Sequence, residues 1–209
     1  LAADLARRKA AVVSGLARGI DAEAHEAALD AGGATWAVLG MGLAEIYPPD
    51  NRDLARRIVA EGGCLLSETP LSVQPSKAVF PRRNRIIAGL AWATAVVEGR
   101  GGSGALITAR NAAEYGREVF GVPGPADSPL SEAPHRLLRD GARLAASARD
   151  ILSVLPAGVC AGPAAAARPA RGSRPEGEEG KILQLLGGDS LSLEELGNMT
   201  GLDMPHLSL

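Results

Sequence analysis

Residues 9–29 have the sequence KAAVVSGLARGIDAEAHEAAL, in which a short apolar run leads through a glycine-containing turn into a helical pattern. A continuous apolar run bounded by turn residues is typical of a strand buried on both faces. Further runs of this kind alternate with helical patterns along the chain. The runs span residues 9–13, 34–39, 64–67, 94–97 and 119–122, and the helical patterns span residues 21–31, 51–61, 82–91 and 106–115. This alternation predicts an α/β fold with a Rossmann-like, doubly wound, mostly parallel sheet.

The pattern divides the chain into three parts. Residues 1–155 form the α/β domain, and because residues 1–8 resemble the end of a helix with no strand before it, we expect its first β-α element to be missing. Residues 156–177 are rich in Pro, Ala and Arg, a composition typical of a linker. Residues 178–209 resemble a truncated winged-helix-like module, for which DNA contact and a packing or partner role are equally compatible with the pattern.

Composition excludes several classes of protein. No run reaches the length of about 18 apolar residues that a membrane helix needs, and no secretory signal is visible. Cys64 and Cys160 have no CxxC spacing, and the histidines lack ligand spacing, so we expect no disulfide framework, no metal and no cofactor. These features favour a cytoplasmic protein. Residues 1–155 hold 18 Lys and Arg against 17 Asp and Glu, so any nucleic-acid site is a local patch.

The loops that follow the strands are the candidate ligand sites, since ligands of such sheets bind outside the carboxyl ends of the strands. In the first loop, Ser14 and Gly15 are small enough to let a ligand approach the backbone where a helix begins. Free N–H groups at a helix start favour an anion. The spacing does not match the dinucleotide fingerprint, and a plain strand-to-helix turn explains the loop equally well.

The segment KAVFPRRNR at residues 77–85 holds four cations and no acid. Cations in the first turn of a helix oppose the helix dipole, and an anionic partner such as phosphate would relieve that conflict. Phe80 lies among them. An aromatic ring beside basic residues is the minimal arrangement for binding single-stranded nucleic acid, because the ring stacks on a base and the cations neutralise the phosphates. The alternative is a solvated charge run with Phe80 in the core and one Arg paired to an acid such as Glu68.

The third loop belongs to the segment EGRGGSGALITA at residues 98–109. Its glycines permit a backbone nest for an anion, and Ser103 can add a hydroxyl. The segment lacks the Lys-Ser/Thr ending of a P-loop, so we expect no ATP hydrolysis. The three loops are predicted to lie at one edge of the sheet and to form an anion-lined groove.

Several motifs resemble the DprA/Smf family of bacterial DNA-processing proteins. They are SGLARGIDAEAHEAAL, the loop at residues 47–51, LLSE, FPRRNRIIAGL, GGSGALITARNAAEYGREVFGVPG and RLLRDGA, which follow one another within residues 1–155. One departure is the stretch Glu132-Ala133-Pro134-His135, which replaces a Gly-Cys-Asn-like turn.

The resemblance implies a non-enzymatic, homodimeric cytoplasmic protein that binds single-stranded DNA. Such a protein protects incoming single strands and loads the recombinase RecA during natural transformation. By motif position, Lys77, Phe80, Arg83 and Arg85 would line the DNA pocket. The backbone at Ser14, Gly15, Gly102, Ser103 and Gly104 would contact phosphates.

Two other functions are weighed against this one. A nucleotide phosphoribohydrolase of the LOG type also has a glycine-rich phosphate loop, but it places a catalytic Glu within a few residues. Here Ala105 follows the loop and the next acid is Glu114. The third alternative is a structural or partner-binding module whose DNA site has decayed.

Incubation with AMP separates the enzyme from the binding protein. Because the glycine loop lacks the acid in the required position, we expect no release of free adenine, which chromatography of the reaction mixture measures. Adenine appearing in proportion to protein concentration would contradict the non-enzymatic interpretation.

Overall fold

The computed structural model describes residues 1–76 and 78–156, and the predicted strands and helices appear in it close to their expected positions. The strands are β1 Val12–Ser14, β2 Thr35–Leu39, β3 Cys64–Ser67, β4 Ala93–Val96, β5 Glu118–Gly121 and β6 Arg143–Leu144. The α-helices are α1 Ala2–Arg7, α2 Ile20–Asp30, α3 Arg52–Ala60, α4 Val79–Leu90, α5 Gly104–Glu114, α6 Glu132–Arg139 and α7 Ala148–Leu152. Short 3-10 helices span Pro49–Asn51 and Pro129–Ser131.

The strands are parallel, as predicted, but they form two sheets where one was expected. One sheet has the order β1-β2-β3 and the other has the order β4-β5-β6. In the first sheet Val13 pairs with Trp36 and Ala37 pairs with Leu65, so β2 is the central strand. An apolar run predicts a strand but carries no information about its hydrogen-bonded neighbour, so the pattern could not reveal this division. The parallel α/β fold itself is confirmed.

Helices cover the sheets through separate apolar clusters. Leu16, Leu39 and Ile58 belong to the cluster that joins the first sheet to α2 and α3. Around the second sheet, Val96 packs with Ala109 of α5, and Phe120 packs with residues near α7. Helices α4 and α5 pack against each other, and α4 also contacts β1 and β2. Helix α4 therefore lies where it reaches the loops that follow the strands of both sheets.

Several elements differ from the prediction. Helices α6 and α7 were not predicted, and β1 begins at Val12 where residue 9 was expected. Strand β6 was missed, because it is two residues long and both residues are exposed. Helix α4 begins at Val79, three residues before the predicted start at Arg82. The predicted linker lies outside the described residues from residue 157 onward, as does the whole predicted winged-helix-like module. Among the described helices, none has the length and apolar character needed to cross a membrane.

A buried histidine joins α2 to the first sheet. His25 is fully buried, and its Nδ1 lies 2.6 Å from Oγ1 of Thr35. The Thr35 hydroxyl donates its one hydrogen to the carbonyl of Val12, 2.8 Å away, so Nδ1 of His25 must be the donor in their bond. Because burial disfavours the charged imidazolium, the ring is neutral near pH 7, so Nδ1 carries its one proton and Nε2 is unprotonated. Burial lowers its pKa to about 4, with Asp21 opposing that shift and Arg83 adding to it.

We expect the buried His25 to make the fold sensitive to mild acid. The pKa of His25 is about 4 in the folded chain and about 6.5 in an unfolded one, so the unfolded state binds this proton more tightly. The stabilisation is complete above about pH 6.5 and is lost as the pH falls toward 4. The free energy of unfolding should be about 2 kcal/mol lower at about pH 5 than at about pH 7, and urea unfolding followed by circular dichroism measures it.

Two variants identify the source of this pH dependence. His25→Gln removes the titrating ring and should flatten the difference, whereas His135→Gln removes a less buried histidine and should leave it unchanged. If the parent and His25→Gln lose equal stability on acidification, the effect comes from other groups.

Candidate nucleic-acid interface

Helix α4 reaches the loops that follow β1 and β4 through two neighbouring side chains of its second turn. Arg83 bonds to the carbonyl of Gly15 in the first loop, at 2.7 Å. Nδ2 of Asn84 donates to the carbonyl of Gly104 at the start of α5, at 3.2 Å. The structure therefore brings the first loop, the basic segment and the glycine-rich loop together, as the sequence predicted.

Arg83 is buried beneath the first loop. Its guanidinium donates to the carbonyls of Gly15 and Val38, and its Nε donates to Oδ1 of Asn84. Only 6% of Arg83 is exposed, and this burial lowers its pKa while the nearby Asp21 carboxylate partly raises it. In this structure the buried guanidinium bonds to the carbonyls of Gly15 and Val38. The predicted contact between Arg83 and DNA stays a prediction.

Gly15 is the residue that makes room for this guanidinium. A Cβ atom at position 15 would lie 2.5 Å from Nη2 of Arg83, well inside van der Waals contact. The N–H of Gly15 donates to Oδ2 of Asp21 at 3.1 Å, and the N–H of Ala17 donates to the same oxygen. The first loop thus satisfies these N–H groups with its own carboxylate, and Ser14, at the end of β1, is half-buried.

In the glycine-rich loop, a carboxylate also accepts a backbone N–H group. Oε2 of Glu132 accepts the N–H of Gly101 at 2.7 Å, and this acid lies in the stretch that departs from the family motif. Gly102 is exposed with open space around it. Ser103 precedes α5, and its buried Oγ has no hydrogen-bond partner within the described residues. Gly102 is therefore the part of this loop that is most open to a ligand.

The basic segment divides into buried, paired and free side chains. Arg85 is half-exposed and forms an ion pair with Glu68, which is the pairing that the alternative interpretation of the segment anticipated. Arg82 is exposed and has no carboxylate partner within the described part of the chain. Lys77 lies outside the described residues, so its predicted role stays a prediction.

Phe80 is half-buried at the start of α4 and packs against the end of β2. A Cβ atom at Gly40 would lie 3.0 Å from Cδ1 of Phe80, so glycine lets the ring lie directly on the backbone. Tyr47 forms an aromatic pair with this ring, with 6.1 Å between the ring centroids. Sequence reasoning did not include Tyr47 in the site. Its place in the loop after β2, one of the candidate ligand loops, was the available signal.

The loop that carries Tyr47 is bound to the first loop. Nε of Arg18 donates to Oδ2 of Asp50 at 2.8 Å, and this ion pair raises the pKa of Arg18. Nδ2 of Asn51 donates to the carbonyl of Leu16 at 2.9 Å. Leu16 has φ +57°, a conformation that is unusual for a leucine, and this bond helps to hold it. Both loops are therefore ordered by side chains of the protein itself.

The family model described as DNA recombination-mediator protein A matches residues 1–156. The chain belongs to the DNA recombination-mediator protein A family. Protein Smf of Escherichia coli K12 is 50% identical over 155 residues, which cover 74% of this chain and 41% of that protein. DNA processing protein DprA of Bacillus subtilis is 45% identical over 156 residues, which cover 75% of this chain and 52% of that protein. The chain spans about half the length of these curated relatives.

Solved structures of the family have the same fold. DNA processing protein A from Streptococcus pneumoniae matches with a TM-score of 0.65 and 42% identity, covering 74% of this chain and 57% of that one. The family member from Helicobacter pylori matches with a TM-score of 0.66 and 30% identity, covering 73% of this chain and 69% of that one. The latter structure concerns the single-stranded DNA binding mode of that protein.

Within residues 1–76 and 78–156, no three His, Cys, Asp or Glu side chains are grouped so that they could hold a metal ion. Glu132 is the acid that contacts the glycine-rich loop, and its carboxylate bonds to the backbone there.

Loss of the Arg83 guanidinium should destabilise the fold. Arg83→Met leaves the buried carbonyls of Gly15 and Val38 without these donors, and we expect the free energy of unfolding to fall by about 2–5 kcal/mol. Arg82→Met, one residue away, removes an exposed side chain and should change stability by less than about 0.5 kcal/mol. Urea unfolding followed by circular dichroism measures both, and equal stability of the two variants would contradict the structural role of Arg83.

Proposed function

We propose that this chain is a non-enzymatic, single-stranded-DNA-binding protein of the bacterial cytoplasm. It protects incoming single strands and loads RecA recombinase onto them during natural transformation and recombination, and it acts as a homodimer. The observation that carries the proposal is helix α4, which bonds to two glycine-containing loops through Arg83 and Asn84. Its first turn carries the half-buried Phe80 and the exposed Arg82. The single-stranded DNA binding mode described for the Helicobacter pylori relative supports it.

The geometry favours single strands over duplexes. Phe80 offers an aromatic surface to an unpaired base, and such stacking is tolerant of base identity because every base has a π-face. Gly102 and the exposed Arg82 suit the phosphate backbone, which carries no sequence information. A duplex hides its base faces inside the stack, so this surface offers it phosphate contacts alone.

The family supports the recombination role. Its description as a recombination mediator implies a partner that acts on the bound strand, and RecA is the recombinase that this proposal names. The homodimer belongs to the same proposal. Sedimentation of the chain alone tests whether it forms a homodimer, and sedimentation with RecA tests whether the two proteins bind each other.

Oligonucleotide binding tests the proposed function. Fluorescence anisotropy of a labelled oligo-dT should show binding that weakens with salt, with a log–log slope of about −2 to −3 for three or four phosphate contacts on a single strand. Phe80→Leu and Arg82→Glu should both weaken it, whereas Arg56→Glu changes an exposed arginine on α3 and should have little effect. A duplex of equal length should bind more weakly than the single strand.

The variants avoid Arg83 for a structural reason. Arg83→Glu would bury a carboxylate against the carbonyls of Gly15 and Val38, so loss of binding by that variant would report unfolding. A flat salt response, or a duplex that binds as tightly as the single strand, would contradict the proposal. Unchanged binding by both folded variants would place the interface elsewhere in the chain.

A further inference from the structure

Two aromatic rings contact each other at the edge of the candidate interface. The centroids of Tyr47 and Phe80 are 6.1 Å apart, and the ring planes are tilted by 35°. Phe80 is half-buried and is anchored against Gly40, whereas Tyr47 is 43% exposed. The pair therefore extends an aromatic surface from the start of α4 outward into solvent.

The exposed ring lies on a loop that is already ordered. Arg18 and Asp50 form an ion pair beside it, and Asn51 bonds to the carbonyls of Leu16 and Ala17. The Tyr47 hydroxyl also lies close enough to Arg18 to contribute to its raised pKa, although less than Asp50 does. Because protein contacts hold the loop, stacking on this ring requires little additional ordering, which favours binding.

Aromatic side chains are scarce in this chain, which has only two Phe, two Tyr and two Trp in 209 residues. Phe120 is buried in the core, and the half-exposed Trp92 has the guanidinium of Arg117 over its ring at 4.8 Å. Tyr115 is 47% exposed and directly follows the last residue of α5. Tyr47 is thus the exposed ring that the described structure places directly beside Phe80.

We propose that Tyr47 is a second base-stacking surface of the interface, which takes the nucleobase next to the one held by Phe80. The proposal deepens the proposed function and rests on it. Successive bases of an unpaired strand stack on successive aromatic side chains in proteins that bind without sequence preference. Arg18 and Asp50 position the loop, and Tyr47 itself contacts the base. The ligand is an unpaired single strand, which this surface binds without preference for base sequence.

Substitution of Tyr47 in the full chain, combined with abasic oligonucleotides, tests this assignment. Tyr47→Ala and Tyr47→Leu should weaken binding to labelled oligo-dT by roughly 5- to 150-fold, the range for one stacked base. Tyr47→Phe keeps the ring and should bind within about twofold of the parent. On an oligonucleotide of equal length whose central residues are abasic, the parent, Tyr47→Ala and Tyr47→Leu should bind alike, since the phosphates remain and the bases are absent.

Tyr115→Ala is the matched control, because Tyr115 has a similar exposure on another surface. It should bind both oligonucleotides as the parent does. Equal binding of oligo-dT by the parent and both Tyr47 variants, with a loss for Phe80→Leu, would overturn this inference and leave the proposed function standing. A loss of equal size on oligo-dT and the abasic oligonucleotide, or by Tyr47→Phe, would also overturn it. Failure of the parent to bind oligo-dT would overturn both.

Discussion

The arrangement of the candidate interface depends on one buried guanidinium. Removing an arginine from water is costly unless its donors find acceptors, and Arg83 meets this demand with the carbonyls of Gly15 and Val38 and the amide oxygen of Asn84. These acceptors come from the first loop, from β2 and from α4 itself. The guanidinium keeps all its hydrogen bonds only while these acceptors keep their positions. Its burial therefore fixes the first loop, β2 and α4 relative to one another.

Hydrogen bonds of neighbouring residues position the remaining parts of the site. Asn84, beside Arg83, bonds to Gly104 at the start of α5. One turn earlier, the same helix places Phe80 against Gly40. Asp21 and Glu132 then satisfy N–H groups of the two glycine-containing loops. Each carboxylate occupies a position where an anionic ligand was expected. The loops are thus ordered by the chain itself, and their exposed parts are left for a ligand.

Much of this fold could be predicted from periodicity, and the limits of that method are physical. The strand at residues 64–67 was predicted with its exact bounds, because a continuous apolar run between turn residues has few other interpretations. Strand β6 could not be found, since two exposed residues carry no periodic signal. The basic segment was recognised, but the helix begins three residues earlier than predicted, so Arg83 and Arg85 lie in its second turn and not in its first. Which arginine points inward was therefore not accessible from the sequence.

Tyr47 illustrates a different limit. It is far from Phe80 in sequence, and only the packing of the loop after β2 against α4 brings the rings together.

The ion pairs of this edge make aromatic rings important for binding a nucleic acid. Arg18 is paired with Asp50 and Arg85 with Glu68, so much of the local positive charge is already compensated by the protein. These two arginines therefore contribute less to binding a phosphate backbone than unpaired ones would, and base stacking supplies a larger share of the affinity. Stacking requires unpaired bases, so compensation of the cations itself favours single strands over duplexes.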